Sequence, residues 1–327
     1  MGIKISRVNL WGIGAGIIYG LCMRLIFGEE GASKSIGIYT VFTVMSIGFI
    51  FFVPLALGIL TVRFALRPSW VYSIFGPWIS VALFIAASIM FKWEGFICGI
   101  MAAPIFLVMG SIGGIIMKVI LMLNGSKRAY IFTGFLFLPF ISSGIESQFV
   151  VPPTQRLVPT QIIINAPVDV VWNNIIRIPK IQPKEHHLSF FQSMGFPKPI
   201  EATLSREGVG GVRHATFEGG LLFIETITEW QEKKKLVFSI KANTESIPPT
   251  TLDQHVKIGG EYFDMLEGDY EIEPIGSNKV ILHLSSTQRL STRFNAYAGL
   301  WTEAVMRSIQ NYILVIIKQR CEGKGSK

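Results

Sequence analysis

Two strand-like segments, 211–218 and 221–230, carry the side chains with the strongest potential for chemistry. Apolar and polar residues alternate in both, and neighbouring side chains of a strand point to opposite faces. One face of each segment is largely apolar and includes one ionisable residue: the sets are Arg213, Ala215 and Phe217, and Phe223, Glu225 and Ile227. An acid and a base in apolar surroundings either pair with each other or hold the polar end of a ligand. If these faces look into the domain, Arg213 and Glu225 either pair with each other as a structural pair or contact a ligand, with or without pairing.

The five histidines do not form a metal-binding pattern. They are His186, His187, His214, His255 and His283. A zinc site needs two to four ligands at helix or hairpin spacing, whereas His186 and His187 are adjacent and the chain contains neither H-x-x-x-H nor C-x-x-C. We therefore expect no metal. His283 shares strand parity with Ile281 and Ser285, so it is either a ligand-facing acid or base, or a structural histidine.

Motifs for nucleophilic and phosphate chemistry are missing from the sequence. It has no G-x-S-x-G elbow, no Walker-type loop and no dinucleotide fingerprint. The Gly208-Val-Gly-Gly211 run joins two predicted strands, which favours a hairpin turn over a phosphate-binding loop. The acidic stretch between residues 253 and 273 lacks the spacing of a calcium loop. We therefore expect no cofactor.

The distribution of charge divides the chain near residue 150. Residues 1–150 carry 14 charged residues and residues 151–327 carry 38, while the mean hydropathy of +0.46 is too high for an ordinary globular protein. The net charge of +8 divides into +6 before the boundary and +2 after it. The positive charge therefore lies beside a membrane, and no basic run interleaved with aromatics indicates nucleic-acid binding.

Five apolar runs in the first part approach the ~20 residues that a helix needs to cross a bilayer. They lie near residues 9–27, 38–62, 71–91, 96–121 and 129–146. At the ends of the runs, seven basic residues lie on the same side of the membrane as the N-terminus and three lie on the opposite side. This asymmetry predicts a cytoplasmic N-terminus in a plasma or inner membrane. With five spans the soluble domain is extracytoplasmic; if the fifth run does not cross, the domain lies on the other side.

The membrane part is interpreted as an anchor or packing platform. Its charges cluster at the ends of the runs, whereas a transport path needs ionisable residues in the middle. Glycines recur every four residues at Gly12, Gly16 and Gly20, and again at Gly110 and Gly114. Such stripes allow close helix approach, either within one bundle or across a homo-oligomer.

The second part reads as a linker, 151–158, followed by a domain over 159–327. A strand near 161–165 precedes a helix, and a long amphipathic helix is predicted over 293–321, with Glu303, Arg307 and Gln310 opposite its apolar face. Between them lie six strand candidates, at residues 201–207, 211–218, 221–230, 235–243, 260–273 and 279–290. Short turns between the six predict an antiparallel meander, and the loop 246–251 is a candidate gate.

This order of elements, and the sequences within it, resemble the START-like helix-grip superfamily (SRPBCC). Within that superfamily the chain resembles the polyketide-cyclase and lipid-transport group. The resemblance is carried by the runs IINAPVDVVW (163–172), GVGGVRHATF (208–217), FIETITEW (223–230) and LVFSI (236–240), and by the helix that bears Trp301. It covers about 159–322 and none of the membrane part. It implies a curved antiparallel sheet gripping the last helix around an apolar cavity.

The fold class expected is therefore amino-terminal transmembrane helices, all α, followed by a carboxy-terminal α+β helix-grip domain. The resemblance implies that eight side chains face the cavity: Arg213, Phe217, Phe223, Glu225, Ile227, Tyr297, Trp301 and Val305. His283 is added to this set because of its strand parity. The function it implies is non-catalytic binding of a hydrophobic small molecule or lipid. Two alternatives stay open: a cyclase or isomerase that uses Glu225 or His283 as general base, and an assembly or regulatory protein whose cavity is filled by side chains.

Overall fold

The computed structural model describes residues 7–28, 41–65, 67–124, 131–243 and 258–323. The chain divides into two compact units, Met1–Val151 and Pro152–Lys327. This boundary lies where the charge distribution changes. The first unit is helical and the second combines one antiparallel sheet with helices, so the predicted fold class is confirmed.

The amino-terminal unit contains five apolar helices among its described residues. They are α1 (Arg7–Phe27), α2 (Val53–Arg63), α3 (Trp70–Met90), α4 (Phe96–Asn124) and α5 (Ile131–Glu146). Three helices, α1, α3 and α4, are long and apolar enough to cross a membrane. A π-helical segment, Gly48–Phe52, runs directly into α2, and the two together form one apolar helix. This combined helix and α5 are both apolar but shorter than the other three.

The glycine stripes lie against helices of the same chain. A Cβ atom on Gly12 or Gly16 would meet Thr61 in α2, and one on Gly114 would meet the Ser73 carbonyl in α3. A Cβ atom on Gly58 would meet the backbone of Gly110. These glycines therefore allow backbones to approach within one bundle, which is the packing alternative left open by the sequence.

The carboxy-terminal unit is built on a seven-stranded antiparallel sheet. Its strands are β1 (Thr154–Ile164), β2 (Pro199–Leu204), β3 (Val212–Phe217), β4 (Leu222–Gln231), β5 (Lys235–Asn243), β6 (Phe263–Gly276) and β7 (Lys279–Leu290). The spatial order is β1-β7-β6-β5-β4-β3-β2, so β2 to β7 form the expected meander and β1 pairs with its last strand. Because β1 begins at Thr154, it includes most of the 151–158 segment that the sequence assigned to a linker.

Three helices complete this unit: α6 (Val168–Ile176), the single turn α7 (Phe190–Ser193) and the long α8 (Asn295–Cys321). Side chains from one face of the sheet form a continuous core with α6 and the carboxy-terminal half of α8. Trp172 of α6 packs edge-on against Trp230 of β4, with ring centroids 5.1 Å apart. This core side of the sheet is called the inner face below. The candidate gate at 246–251 lies outside the described residues.

Candidate functional site

Arg213 and Glu225 form an ion pair on the inner face of the sheet. The register places them directly opposite each other on β3 and β4, and Arg213 Nη1 donates to Glu225 Oε2 at 2.6 Å. Both side chains are buried, with 3% and 8% of their surfaces exposed. Of the two roles that the sequence allowed, the structure shows the pairing.

Two aromatic rings on neighbouring strands complete the surroundings of the guanidinium. The Cζ atom of Arg213 lies 5.6 Å from the ring centroid of Phe238 on β5 and 5.7 Å from that of Tyr270 on β6. Gly268 pairs with Phe238 across the two strands, and a Cβ atom at Gly268 would collide with the Phe238 ring. The missing side chain at position 268 therefore gives this ring its place beside the cation.

Sequence reasoning did not select Phe238 or Tyr270. A signal for Tyr270 was present in the alternation of β6, where Glu267, Asp269 and Glu271 share one parity and Tyr270 has the other. Because acidic residues at strand periodicity face solvent, the intervening Tyr270 had to face inward. Phe238 follows the same rule less clearly, since its neighbours Val237 and Leu236 are also buried.

Burial dominates the electrostatics of this group. It raises the pKa of the Glu225 carboxyl, and the positive charge and hydrogen bond of Arg213 oppose that shift. Burial also raises the pKa of the Tyr270 hydroxyl, which therefore stays protonated at neutral pH. Burial works against the charge of Arg213, but Glu225 and Tyr270 beside it keep the pKa of the guanidinium above its usual value. Both members of the pair are therefore shielded from bulk water.

One polar atom of this pair has no hydrogen bond. The Nε–H of Arg213 is buried and has no partner among the described residues. Buried donors are normally satisfied, because leaving one unmade costs about 1–3 kcal/mol. The guanidinium therefore has one donor available to a further polar group inside the domain.

The predicted apolar strand residues lie together on the inner face. Phe217 and Phe223 pack edge-on, with ring centroids 5.2 Å apart, and Ile227 is fully buried. All three belong to the core cluster that also includes Tyr312 and Leu314 of α8. The strand alternation read from the sequence assigned these faces as the structure has them.

The predicted helix residues form a separate stripe. Tyr297, Trp301 and Val305 follow each other at one-turn spacing; Val305 is buried, and Tyr297 and Trp301 are partly exposed. None of the three belongs to the core cluster that contains the strand residues. Along the same stripe, Tyr312 contacts the segment before α7, since His187 stacks on its ring at 4.1 Å between centroids.

The polar residues of α8 lie opposite its apolar stripe, as the sequence indicated, but one of them is buried. Gln310 is 3% exposed, and its amide donates to Val158 O at 3.0 Å and Ser286 Oγ at 2.8 Å. Glu303 pairs with Arg156 of β1 at 2.7 Å. This polar face is the one that docks on β1 and β7, about half a turn around the helix from Trp301.

His283 lies on the outer face of the sheet, so the expectation that it faces a ligand is corrected. In β7 the alternate residues Val280, Leu282 and Leu284 are buried, and His283 has the opposite parity. Its Nε2 atom lies 3.0 Å from Glu273 Oε2 on β6. Both sides of this strand carry apolar residues, so parity alone did not identify the inner face.

Among the described residues, no group of three or more His, Cys, Asp or Glu side chains could hold a metal ion. His214 is exposed on β3, on the face opposite Arg213. His255 lies outside the described residues.

No protein-family model and no curated protein sequence matches the chain. Among solved structures, a START superfamily protein from Mycobacterium smegmatis aligns over 51% of this chain and 95% of its own, with 10% identity and a TM-score of 0.31. Truncated norcoclaurine synthase from Thalictrum flavum aligns over 51% and 96%, with 13% identity and a TM-score of 0.31. The Aha1 dimer from Colwellia psychrerythraea aligns over 53% and 99%, with 13% identity and a TM-score of 0.31. At these values the function has to be argued from the residues of this chain.

Proposed function

We propose that the protein is a membrane-anchored binding module, in which the helix-grip unit takes up a hydrophobic or amphipathic small molecule such as a lipid without chemical conversion. The three long apolar helices support the anchor. Attachment keeps the binding unit at a high effective concentration beside a source of apolar ligands.

The observation that carries the proposal is the unpaired Arg213 Nε–H. It is a buried donor in an interior lined by aromatic and aliphatic side chains, which matches a site for a molecule with one polar acceptor and an apolar body. The pairing with Glu225 neutralises the charge, so the acceptor does not have to be an anion. Each Å² of apolar ligand surface removed from water contributes about 25 cal/mol.

The partly exposed Tyr297 and Trp301 support a ligand contact on α8. Both side chains are partly exposed and lie outside the main core cluster, and Trp301 continues the stripe of Val305. We propose that they cover the apolar body of the ligand and that Phe217, Phe223 and Ile227 form the opposite wall.

No observation favours the cyclase or isomerase alternative. A general base must be free to take a proton, whereas Glu225 accepts a hydrogen bond from Arg213 and His283 lies on the outer face beside Glu273. The alternative of an assembly protein without a ligand is decided by the experiment below.

Native mass spectrometry of the full chain released from lipid nanodiscs tests the proposal. We expect a stoichiometric apolar adduct in the wild type, its loss in Trp301→Arg, and its retention in Leu300→Arg. Leu300 is the matched control because it neighbours Trp301 in α8 and is 67% exposed. A wild-type chain that is empty and takes up nothing from a panel of lipids and polyketides would overturn binding and favour assembly.

A further inference from the structure

Two large apolar side chains project into solvent from the segment before β2. Leu188 is 98% exposed and Phe190 is 66% exposed, although Phe191 beside them is buried in the domain. We call Leu188 and Phe190 the apolar tip. Single exposed apolar residues are ordinary on a protein surface, but a leucine and a phenylalanine two positions apart and this exposed form a local apolar patch, which is a candidate contact surface.

The fold holds the apolar tip outward through contacts on both sides of it. Before the tip, Glu185 forms a two-pronged ion pair with Arg320 of α8, at 2.6 and 2.9 Å. His186 Nδ1 lies 2.7 Å from the Tyr312 hydroxyl, and on the other side of Leu188 the hydroxyls of Ser189 and Ser308 are 3.0 Å apart. The exposure of Leu188 is therefore imposed by anchors to α8.

The segment that carries the tip is basic. Between residues 177 and 198 it contains Arg177, Lys180, Lys184 and Lys198, against one acidic residue, Glu185, which is buried and paired with Arg320. Arg177 is itself paired with Glu207 outside the segment, which leaves the three lysines as its excess positive charge. Lys180 and Lys184 are exposed. An apolar tip flanked by exposed lysines is the arrangement by which peripheral segments bind a lipid surface, where the apolar groups enter below the headgroups and the cations meet anionic lipids.

We propose that Leu188 and Phe190 insert into the surface of an anionic lipid bilayer. The chain itself supplies the reason for this occupant, because three of its helices are long and apolar enough to cross a membrane. The inference rests on the membrane attachment proposed above and not on ligand binding. Insertion would place the segment that contacts Tyr312, on the same stripe of α8 as Trp301, next to the lipid from which a ligand would come.

Fluorescence quenching of the full chain in vesicles tests this inference. Cys22, Cys98 and Cys321 are first replaced by serine, and a single cysteine is introduced as Leu188→Cys and labelled with a polarity-sensitive dye. The chain is reconstituted into phosphatidylcholine–phosphatidylglycerol vesicles that contain lipids with a nitroxide quencher at a shallow acyl position. We expect a blue-shifted emission and strong quenching at position 188.

Two control positions make the result specific. Ile18→Cys labels an exposed side chain of α1, and Leu157→Cys labels an exposed leucine of β1, 61% exposed. Quenching at 18 and 188 but not at 157 supports the inference. Quenching at 18 alone overturns tip insertion and favours a protein partner, whereas no quenching at 18 overturns the membrane attachment itself. Equal quenching at 188 in vesicles without phosphatidylglycerol would overturn the preference for anionic lipid.

Discussion

Arg213 and Glu225 occupy directly opposed positions on β3 and β4, and their side chains meet at 2.6 Å in the buried interior of the helix-grip unit. The pair places a full positive and a full negative charge beneath apolar side chains. Its net contribution to folding is small, since desolvation offsets the attraction, but neither partner can be lost without a large cost.

Removal of one partner should therefore destabilise the unit strongly. We expect Glu225→Gln to lower the free energy of unfolding by about 3–5 kcal/mol, because the Arg213 charge remains buried and unpaired. Chemical denaturation of the detergent-solubilised chain, followed by far-UV circular dichroism, measures the change.

The exposed ion pair between Arg177 and Glu207, at 2.8 Å, provides a matched control. Glu207→Gln should cost at most about 1 kcal/mol, because water screens and solvates that pair. The double variant Arg213→Met/Glu225→Leu should recover most of the loss seen in Glu225→Gln. Equal effects of the two single glutamine variants would show that burial of the inner pair has no energetic consequence.

Gly268 should resist even the smallest enlargement. A methyl group there collides with the Phe238 ring, so we expect Gly268→Ala to lower the free energy of unfolding by about 1–3 kcal/mol through overpacking. Gly276→Ala, near the other end of β6, meets only Lys279 Cβ at 3.8 Å and should be close to neutral. Urea unfolding curves of the two variants test the difference, and similar midpoints would contradict it.

Two groups, His187 and Glu185, should each contribute less to the stability of the domain as the solution is acidified. Burial lowers the pKa of His187 from 6.5, and the hydrogen bond from Arg320 lowers that of Glu185 from 4.5. A lowered folded-state pKa means that the unfolded chain binds protons first. The stabilisation is therefore complete above the unfolded-state pKa of each group and is lost as pH falls through its folded-state pKa.

We accordingly expect the melting temperature to decrease below about pH 6.5, as His187 begins to titrate in the unfolded chain, and again as Glu185 does so below pH 4.5. Differential scanning fluorimetry from pH 8 to pH 4 gives the profile. In His187→Gln the decrease that begins near pH 6.5 should be weaker while the lower one persists. Identical profiles in the wild type and His187→Gln would contradict the lowered pKa of His187.

Close helix packing in the amino-terminal unit should depend on Gly58. A Cβ atom at this position would meet the Gly110 carbonyl, so Gly58→Ala must separate α2 from α4. We expect a clear fall in the temperature at which the detergent-solubilised chain aggregates. In Gly14→Ala the new methyl group meets nothing within 4 Å, and the temperature should not change. A similar fall in both variants would point to a general effect of helix substitution.

Alternation of side chains accounts for the parts of the site that the sequence could identify. It grouped Arg213 with Phe217 on one face of β3, and Phe223 with Glu225 on one face of β4, because a period of two permits only two faces. The resemblance to the helix-grip superfamily then implied that both faces look inward. Alternation could not assign the face of His283, because Ile281 on the same face of β7 is apolar, as are residues of the opposite face. Only the pairing of β7 with β1 and β6 determines which face is buried.

Long-range contacts account for what sequence reasoning missed. Gln310 reads as a solvent residue of α8, and its burial follows from hydrogen bonds to Val158 and Ser286. Their partners are far away in the chain, and no local pattern records them. The approach of Phe238 and Tyr270 to Arg213 depends in the same way on the register of three strands and on the missing side chain at Gly268.

By itself the sequence determined the division near residue 150, the apolar helices before it, the order of strands and helices after it, and which side chains of β3 and β4 share a face. These follow from local hydropathy and periodicity, which act over a few residues. The tertiary structure decided the Arg213–Glu225 pairing, the unpaired Nε–H beside it, the outer position of His283 and the outward-held tip at Leu188. Each of these depends on which distant segments meet, and that is set by the free energy of the whole packed domain.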